Sequence, residues 1–527
     1  MRRPKALISV WDKTGIEDLA EVLHSLGWEI ISTGGTASKL RDSGIETTDI
    51  SELTGHPEIF DGRIKTLHPA VHGGILARRD SKQDLAKLAE LGYAEIDMVC
   101  VNLYPFEETA ERNPPASDAE LIEMIDIGGP TMIRSAAKNH PSVIIATNPQ
   151  QYESISVALT ESKGQPSGVS LNLREQLALA AFQCTAAYDS VVSNELWRRF
   201  SNETIPNRIN AFSLEGVGLR YGENPHQPAA FYPKSGRSSG LSAAVQHGGK
   251  PLSYNNYLDL DSALRLACSL AQECVSSPHA CVIIKHTNPC GASIDINQES
   301  AWKNALASDP ESAFGCVVAF SSVVEKSTAQ AIGNHFFECM IAPGYESEAL
   351  SILSQSKNRR LLTLEPLGEY QDEARVRQVQ GGWLTQVQGP PRIDWKNVNC
   401  VTDRILDGEG TDLARFGTIV ASEVQSNAIV IVRNTETGSS TVGVGPGQTS
   451  RIEAARIAAR RAGERAQGAM MISDAFFPFR DGIDFSNEIG ISSIVQPGGS
   501  IRDNEIIDAA NEHGMAMLFT GVRLFRH

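Results

Sequence analysis

Residues 282–291, VIIKHTNPCG, place two adjacent ionisable side chains at the end of an apolar run. Ligands of open α/β sheets bind at the carboxyl ends of strands, so Lys285 and His286 are candidates for chemistry. Near neutral pH a lysine stays cationic, while a histidine can accept a proton. The alternative is a helix-capping lysine beside a hydrogen-bonded core histidine. Both can serve one site only if the strand ends there, and Thr287-Asn288-Pro289 is expected to supply that break. Pro289 and Gly291 are expected to form the turn that lets both side chains reach one site.

Cys290 follows a proline but lacks the partners of a zinc site. The zinc deaminases carry H-x-E and later P-C-x-x-C, and this stretch has neither the H-x-E nor the second cysteine. A cysteine nucleophile needs an activating base, and His286 is only a neighbour in sequence. We interpret Cys290 as a small filler residue.

A second candidate region combines glycines with basic residues. In ISTGGTASKL (31–40), Gly34 and Gly35 lie between a predicted strand and a predicted helix. Backbone N–H groups can approach an anion there, although an ordinary turn is the alternative. Arg63 and Lys65 share one face if their segment is extended, which suits a phosphate-bearing substrate better than a salt-bridged surface.

Other polar residues have a structural role that competes with a chemical one. Asp126 precedes a Gly-Gly-Pro turn and a predicted helix, which it can cap. Lys138 is predicted near the end of that helix, where a cation is favoured in any case. The loop LRYGENPHQ groups Arg220 and Tyr221 with other polar side chains, which is more typical of a site than of a solvated turn.

The composition narrows the class of protein. A chain of 527 residues is too long for one core and indicates two to four domains. A net charge of −16 argues against a nucleic-acid or anionic-membrane surface. Nine scattered cysteines without a C-x-x-C pair fit a reducing compartment, and no apolar run approaches the ~20 residues of a membrane span. We expect a cytoplasmic protein.

The elements that must position these residues are strands alternating with helices. Short apolar strands separated by helices predict a parallel sheet covered on both faces, and a long helical stretch closes this first region near residue 200. The polar, proline-containing stretch 201–212 is the predicted domain boundary. Further α/β signals follow, and the polar stretch 388–412 is predicted to link two subdomains. A weak internal duplication is also indicated.

At this point a set of collinear motifs resembles one enzyme family along essentially the whole chain. The motifs are GRIKTLHPAVHGGILAR, NLYPF, IDIGGPTMIRSAAKN, LRYGENPHQ, KHTNPCG, QSNAIV, DAFFPFRDGID, QPGGSIRD and RLFRH. They resemble the bifunctional family of purine biosynthesis that combines 5-aminoimidazole-4-carboxamide ribonucleotide (AICAR) formyltransferase with IMP cyclohydrolase.

The resemblance implies an α/β architecture in two domains. Residues 1–200 would form an IMP cyclohydrolase domain with a methylglyoxal-synthase-like parallel sheet. Residues 201–527 would form an AICAR formyltransferase of two cytidine-deaminase-like α/β subdomains, split near 388–412. It also implies 10-formyltetrahydrofolate as co-substrate, no catalytic metal, room for a monovalent cation, and a homodimer with formyltransferase sites at the interface. Neither nucleic acid nor membrane is implied as a partner.

The resemblance also assigns site residues. The cyclohydrolase set falls on Ser32, Gly35, Arg63, Lys65, Thr66, Tyr104, Asp126 and Lys138. The formyltransferase set falls on Arg220, Tyr221, Lys285, His286, Asn427 and Arg523. Within these sets it implies catalytic roles for Lys65, Tyr104, Asp126, Lys138, Lys285, His286 and Asn427, and substrate binding for the remainder.

Two positions depart from the pattern of the family. Trp11 replaces the small polar residue of many relatives, and Glu338 stands where some relatives carry aspartate. The alternative hypothesis is a nucleotide- or folate-binding sensor or scaffold that has lost one activity. The intact set of Lys65, Lys285 and His286, together with Asn427, favours the enzyme.

Overall fold

The computed structural model of the protein describes residues 2–60, 63–203, 205, 208, 216–233, 240–367 and 370–527. The chain divides into two compact units, Met1–Leu214 and Glu215–His527. Within the described ranges, none of the helices combines the length and the apolar character needed to cross a membrane.

The first unit alternates strands and helices as the sequence predicts. Its strands are β1 (Lys5–Ser9), β2 (Glu29–Ser32), β3 (Thr48–Asp49), β4 (Met98–Val101) and β5 (Ile144–Ala146). Its helices are α1 (Ile16–Ser25), α2 (Gly34–Asp42), α3 (Ile50–Thr54), α4 (Pro69–Leu76), α5 (Lys82–Leu91), α6 (Phe106–Glu111), α7 (Asp118–Glu123), α8 (Gly128–Lys138), α9 (Tyr152–Glu161) and α10 (Leu171–Phe200).

The sheet of this unit is parallel throughout, in the order β3-β2-β1-β4-β5. All four residues of β4 are buried, as expected for a strand with helices on both faces. The strand order reverses at β1, and such a switch point opens a crevice at the carboxyl ends of the neighbouring strands. The predicted parallel-sheet fold of this region is confirmed.

The second unit holds a larger, mixed sheet. Its strands are β6 (Val217–Leu219), β7 (Ala229–Phe231), β8 (Val245–Gln246), β9 (His279–Lys285), β10 (Asn288–Asp295), β11 (Cys316–Phe320), β12 (Phe337–Ala342), β13 (Arg360–Thr363), β14 (Glu373–Val379), β15 (Gly382–Gln388), β16 (Asn399–Cys400), β17 (Ile429–Asn434), β18 (Gly438–Gly445), β19 (Met470–Ser473), β20 (Ser493–Gln496) and β21 (Ala516–Phe519). Its helices are α11 (Tyr254–Glu273), α12 (Gln298–Ser308), α13 (Lys326–Ile332), α14 (Ser347–Leu353), α15 (Gly408–Ser422), α16 (Arg451–Ala462), α17 (Asp481–Glu488) and α18 (Asp503–Glu512).

Twelve of these strands form one sheet with a repeated topology. From its two edges to its centre the sheet reads β8-β13-β12-β11-β9-β10 and β16-β21-β20-β19-β17-β18, and β10 joins β18 at the centre. Each half has the same succession of parallel and antiparallel pairs. The repeated topology confirms the duplication that the sequence indicates only weakly.

The stretch 388–412, predicted as a linker, also contains regular structure. Asn399–Cys400 is the edge strand of the second half of the sheet and pairs with β21. Helix α15 begins at Gly408, and the Asp407 side chain caps it by accepting a hydrogen bond from the Gly410 N–H. The sequence of this stretch resembles a linker because its polar residues belong to an edge strand and to the capped end of a helix. Both of these are exposed to solvent.

Candidate active sites

A cavity of about 510 Å³ lies at the carboxyl ends of β1, β2 and β4 in the first unit. This is the edge at which the reversed strand order predicts a ligand. The cavity brings together most of the predicted cyclohydrolase residues: Gly35, Arg63, Lys65, Thr66, Tyr104 and Asp126.

The floor of the cavity includes the N-terminus of helix α2. Gly34 opens this helix with a φ of 45°, and Gly35 lines the cavity. No acidic residue lies in the first turn of α2, so the positive end of the helix dipole is not offset locally. A Cβ added at Gly34 would lie 3.7 Å from Lys65 Nζ. A helix N-terminus with an ammonium group beside it is suited to an anion such as a phosphate.

Two basic side chains of the cavity, Arg63 and Lys65, have carboxylate partners. Arg63 forms an ion pair with Glu123, with 3.3 Å between Arg63 Nε and Glu123 Oε1. Lys65 Nζ lies 3.7 Å from Glu58 Oε1. The Arg63–Glu123 pair is more than half exposed, and exposed pairs contribute only about 0–1 kcal/mol. A doubly charged phosphate can therefore replace these partners.

Asp126 is fixed by hydrogen bonds just before the N-terminus of helix α8. Its Oδ1 accepts a hydrogen bond from the Gly129 N–H at 2.8 Å, and its own N–H donates to the Tyr188 hydroxyl at 2.8 Å. Burial raises the pKa of this carboxyl above its ordinary value, against hydrogen bonds from backbone N–H groups that lower it. The capping role and the chemical role predicted for Asp126 are thus compatible.

Tyr104 lies across the cavity and packs edge-on against Trp11, with 5.3 Å between the ring centroids. Burial is the main cause that raises the pKa of its phenol, and the charge of Asp126 adds to it. The hydroxyl therefore stays protonated near neutral pH and is available as a hydrogen-bond donor. Trp11, the position that departs from the family pattern, is itself part of the cavity wall.

Two predicted residues do not line this cavity. Ser32 is fully buried at the end of β2, and its hydroxyl donates to the Ile8 carbonyl at 2.8 Å. Lys138 is the exposed last residue of α8. The predicted roles of both remain predictions.

The structure adds cavity residues that the sequence reasoning missed, among them Lys13, Asn102 and Glu123. Asn102 Oδ1 accepts hydrogen bonds from the N–H groups of Trp11 and Asp12 at 2.6 and 3.0 Å, which ties the first loop to the end of β4. Asn102 stands inside the motif NLYPF, so the motif was a signal that could have identified it. Nothing in the local sequence distinguishes Glu123 from other helix-surface glutamates.

In the second unit, the turn after β9 differs from the prediction. Pro289 and Gly291 belong to strand β10, and the turn consists of His286 and Thr287, with φ values of 52° and 60°. The prediction was wrong because proline and glycine usually mark turns. Here Pro289 is accommodated next to a bulge in the β9–β10 ladder.

Lys285 is the last residue of β9 and His286 is the first residue of the turn, so the use of both side chains in one site remains a prediction. Lys285 Nζ donates a hydrogen bond to the Phe314 carbonyl at 2.8 Å, and the His286 side chain is exposed. Cys290 lies behind them at 7% exposure, and burial raises the pKa of its thiol to about 12. A thiol with this pKa is not a nucleophile near neutral pH, in line with the filler role predicted for it.

Asn427 reaches the same end of the sheet from the other half. Gln425, two residues earlier, donates its N–H to Asn288 Oδ1 at 3.0 Å, which joins this segment to the β9–β10 hairpin. Asn427 Nδ2 donates to the Gln448 carbonyl at 2.8 Å, and Arg451 donates to Asn427 Oδ1 at 2.9 Å. Both ends of the amide are therefore fixed.

The remaining predicted residues lie on exposed segments. The Arg220 guanidinium stacks on the Tyr221 ring at 4.6 Å and also donates to its hydroxyl at 2.9 Å. Arg523 lies over Phe525 at 4.5 Å, near the end of the chain. Within the part of the chain that the structure describes, neither arginine side chain hydrogen-bonds to Lys285 or His286. The predicted grouping of these arginines with the β9 turn remains a prediction.

Comparison with known proteins places these sites in a family context. The family model described as "AICARFT/IMPCHase bienzyme" matches residues 136–461, and the model "MGS-like domain" matches residues 15–131. The chain is 45% identical over 532 residues to the bifunctional purine biosynthesis protein PurH of Persephonella marina, covering 99% of both chains. It is 45% identical to the PurH of Roseobacter denitrificans, over 99% of this chain and 98% of that one. A solved structure titled "Crystal structure of ForH" is 40% identical and covers 37% of this chain and 100% of that one, with a TM-score of 0.34.

Proposed function

The chain belongs to the AICARFT/IMPCHase bienzyme family, and from that membership we propose how its two candidate sites divide the work of one enzyme. The protein is a bifunctional purine biosynthesis enzyme, an AICAR formyltransferase and IMP cyclohydrolase. The transferase formylates the 5-amino group of AICAR to give FAICAR, and the cyclohydrolase closes FAICAR to IMP with loss of water. We assign cyclisation to residues 1–200 and formyl transfer to residues 201–527, with two subdomains that divide near 388–412.

The observation that carries the cyclohydrolase assignment is the cavity that joins the α2 N-terminus and Lys65 to Asp126 and Tyr104. The phosphate of FAICAR binds at the helix N-terminus with Arg63 and Thr66. The base and its formamide then extend toward Tyr104 and Asp126.

Ring closure joins the carboxamide nitrogen to the formyl carbon, and the formyl oxygen leaves as water. One proton of that water comes from the carboxamide nitrogen and the other from the formamide nitrogen, which becomes doubly bonded to the former formyl carbon. An amide nitrogen is a poor nucleophile, so holding the two groups together supplies much of the rate. Lys65 and the protonated Tyr104 hydroxyl stabilise the oxyanion that develops on the formyl oxygen. Asp126 takes the nitrogen proton, and the raised pKa of this carboxyl makes it a stronger base than an exposed aspartate. Lys138 is also proposed as a catalytic residue of the cyclohydrolase, and Ser32 as a substrate-binding residue.

Formyl transfer uses the end of strand β9. His286 removes the proton from the amine of AICAR as the new C–N bond forms. Lys285 stabilises the oxyanion or protonates the departing folate nitrogen, whose bond to the formyl carbon breaks. Asn427, with both ends of its amide held, orients this pair. Arg220, Tyr221 and Arg523 bind the nucleotide.

The formyl donor is 10-formyltetrahydrofolate, a co-substrate, and no catalytic metal takes part in the proposed steps. A monovalent cation fits one feature of the second unit. Asp474 is fully buried and pairs with Arg451 through Oδ1, while its Oδ2 has no hydrogen-bond partner among the described residues. Asp474 would hold such an ion. Bound there, the ion would supply positive charge beside the arginine that holds Asn427.

We also propose a cytoplasmic homodimer whose formyltransferase sites lie at the interface. All nine cysteines are free, which fits a reducing compartment. Light scattering coupled to size-exclusion chromatography tests the dimer: a mass near twice 57.0 kDa is expected, and a single 57.0 kDa species contradicts it.

The central experiment supplies the purified protein with AICAR and 10-formyltetrahydrofolate, and separately with FAICAR. We expect IMP from both reactions. If only the reaction supplied with FAICAR gave IMP, and the reaction supplied with AICAR and 10-formyltetrahydrofolate gave none, the formyltransferase assignment would be wrong. If the folded protein bound nucleotide or folate but formed no product, the sensor or scaffold hypothesis would replace the enzyme.

A further inference from the structure

The turn that carries His286 has a backbone conformation that its residues disfavour. His286 and Thr287 form a two-residue connection between paired Lys285 and Asn288, and both have positive φ. Hairpins of this kind normally use Asn-Gly or similar pairs, because glycine tolerates positive φ without steric cost. A β-branched residue such as threonine is an outlier there. Something outside the turn must stabilise it.

The Asp259 carboxylate, on helix α11, provides that support. Its Oδ1 accepts a hydrogen bond from the Thr287 N–H at 2.7 Å. The His286 backbone also hydrogen-bonds to this carboxyl. Burial raises the pKa of Asp259 overall. The free-energy cost of burying the charged carboxylate therefore exceeds the stabilisation that it gains from the two hydrogen bonds. A carboxylate placed here at a cost is typical of a functional position.

The other half of the sheet provides a comparison within the same molecule. Its equivalent hairpin, β17–β18, turns through Thr435, Glu436 and Thr437, and none of these has a positive φ. Asp412 is the counterpart of Asp259, because each lies in the second turn of its helix, α15 and α11 respectively. Asp412 lines a cavity together with the residues of the β17–β18 hairpin turn. The duplicated fold therefore does not require a left-handed turn at this place. The left-handed turn belongs to the half that carries Lys285 and His286.

We infer that Asp259 is a positioning residue for formyl transfer, which holds the His286–Thr287 turn so that the imidazole is presented to the reacting amine. Strained backbone persists only where its surroundings enforce it, and such strain concentrates at active sites. The inference rests on the proposed role of His286. Asp259 itself acts on the backbone and is not assigned a contact with substrate.

The test combines a loss and a rescue in the full-length protein. Asp259→Ala removes both acceptor oxygens and should lower kcat for formyl transfer by about 10–100-fold, the loss expected from misplacing a reacting group by about 1 Å. The KM for AICAR should change little, because the nucleotide-binding residues are elsewhere. Asp259→Asn keeps one acceptor oxygen and should retain most of the activity. Thr287→Gly in the Asp259→Ala background should restore most of kcat, because glycine adopts the turn without support.

Two controls separate this inference from the proposed function. Asp412→Ala should leave formyl transfer unchanged, and cyclisation of FAICAR should be unchanged in every variant. If Asp259→Ala kept the wild-type kcat, or if Thr287→Gly failed to restore it, the inference would be overturned while the proposed function stood. If His286→Ala retained full formyl transfer, the proposed site would be wrong and the inference would fall with it.

Discussion

Gly129 donates its backbone N–H to Asp126 Oδ1 at 2.8 Å, and a Cβ on Gly129 would lie 2.5 Å from Asp126 Oδ2. The same Cβ would lie 2.8 Å from Leu103 Cδ2. It would therefore meet both Asp126 and Leu103, and a small shift of the helix could not accommodate it while the carboxylate stayed in place. The absence of a side chain at Gly129 is therefore what allows Asp126 to be both held by α8 and turned into the cavity.

Gly129→Ala should lower the rate of FAICAR cyclisation by about a hundredfold, because it displaces Asp126 from the position fixed by the helix. Formyl transfer should be unchanged. Gly408→Ala is the matched control, since it also lies in the first turn of a helix but a Cβ there meets nothing within 4 Å. Steady-state rates of both reactions, measured on the same preparations, check the prediction. A wild-type cyclisation rate in Gly129→Ala would contradict it.

Asp126→Asn should make the protein more stable at neutral pH. The pKa of this carboxyl is raised in the folded state, so the folded protein binds the proton more tightly than the unfolded chain does. Stability therefore falls as pH rises above the ordinary aspartate pKa of about 3.9, and the penalty is complete once the pH exceeds the raised pKa of the folded state. Asparagine cannot ionise and still accepts from Gly129.

The measurement is the difference in Tm between Asp126→Asn and wild type across pH. The variant should melt at a higher temperature at pH 7, and the difference should shrink as pH falls toward 4. A variant that is less stable than wild type at pH 7 would show that burial of the charge is not the dominant cost at this position.

Lys65→Met should reduce cyclisation selectively. Removing one preorganised charge from a site typically costs about 2.7–4 kcal/mol, or roughly two to three orders of magnitude in rate. Lys39→Met is the control, because Lys39 pairs with Glu17 on the exposed side of α2. Equal losses in the two variants would mean that general charge, not the position of Lys65, supports the reaction.

His286→Ala should reduce formyl transfer by roughly two to three orders of magnitude, while cyclisation of supplied FAICAR stays near wild type. The physical reason is that only the amine of AICAR, and not the carboxamide of FAICAR, depends on this base. Following both products by chromatography separates the two steps. A parallel fall of both activities would contradict the assignment of two separate sites.

Local sequence was sufficient for the features that depend on local pattern. The strands of the first unit are short apolar runs between helices, and this pattern predicts the parallel sheet. That Gly35, Lys65 and Asp126 belong to one site was implied only by the family resemblance. The position of the β9 turn was not predictable in this way. His286 and Thr287 have no intrinsic preference for a left-handed turn, and the Asp259 carboxylate that stabilises it comes from a helix 28 residues earlier.

Long-range polar networks were outside the reach of sequence patterns for the same reason. Glu423 accepts hydrogen bonds from Arg265 and Arg526, which lie 158 and 103 residues away in the chain. Each of the three residues alone reads as an ordinary surface charge. Only the folded structure shows that Glu423 and Arg265 are about 95% buried and depend on each other.

This network supports the last prediction, because it anchors the end of the chain. Arg526 Nη1 lies 2.8 Å from Glu423 Oε2, three residues after the proposed nucleotide-binding Arg523. Glu423→Ala leaves the Arg526 guanidinium without a carboxylate and leaves Arg265 with Asp261 as its remaining acidic partner. Loss of one partner of a buried ion pair typically destabilises a fold by about 3–5 kcal/mol, and the retained Asp261 pair should keep the loss near the lower end of this range. It should also raise the KM for AICAR, because the segment that carries Arg523 loses its carboxylate anchor and is then held by its hydrogen bonds to Asp474 and Ser426. Glu453→Ala, which breaks an exposed pair with Arg456, should cost about 1 kcal/mol or less. Chemical denaturation and the KM for AICAR check both variants; a Glu423→Ala protein with wild-type KM would show that Arg523 is positioned independently of Arg526.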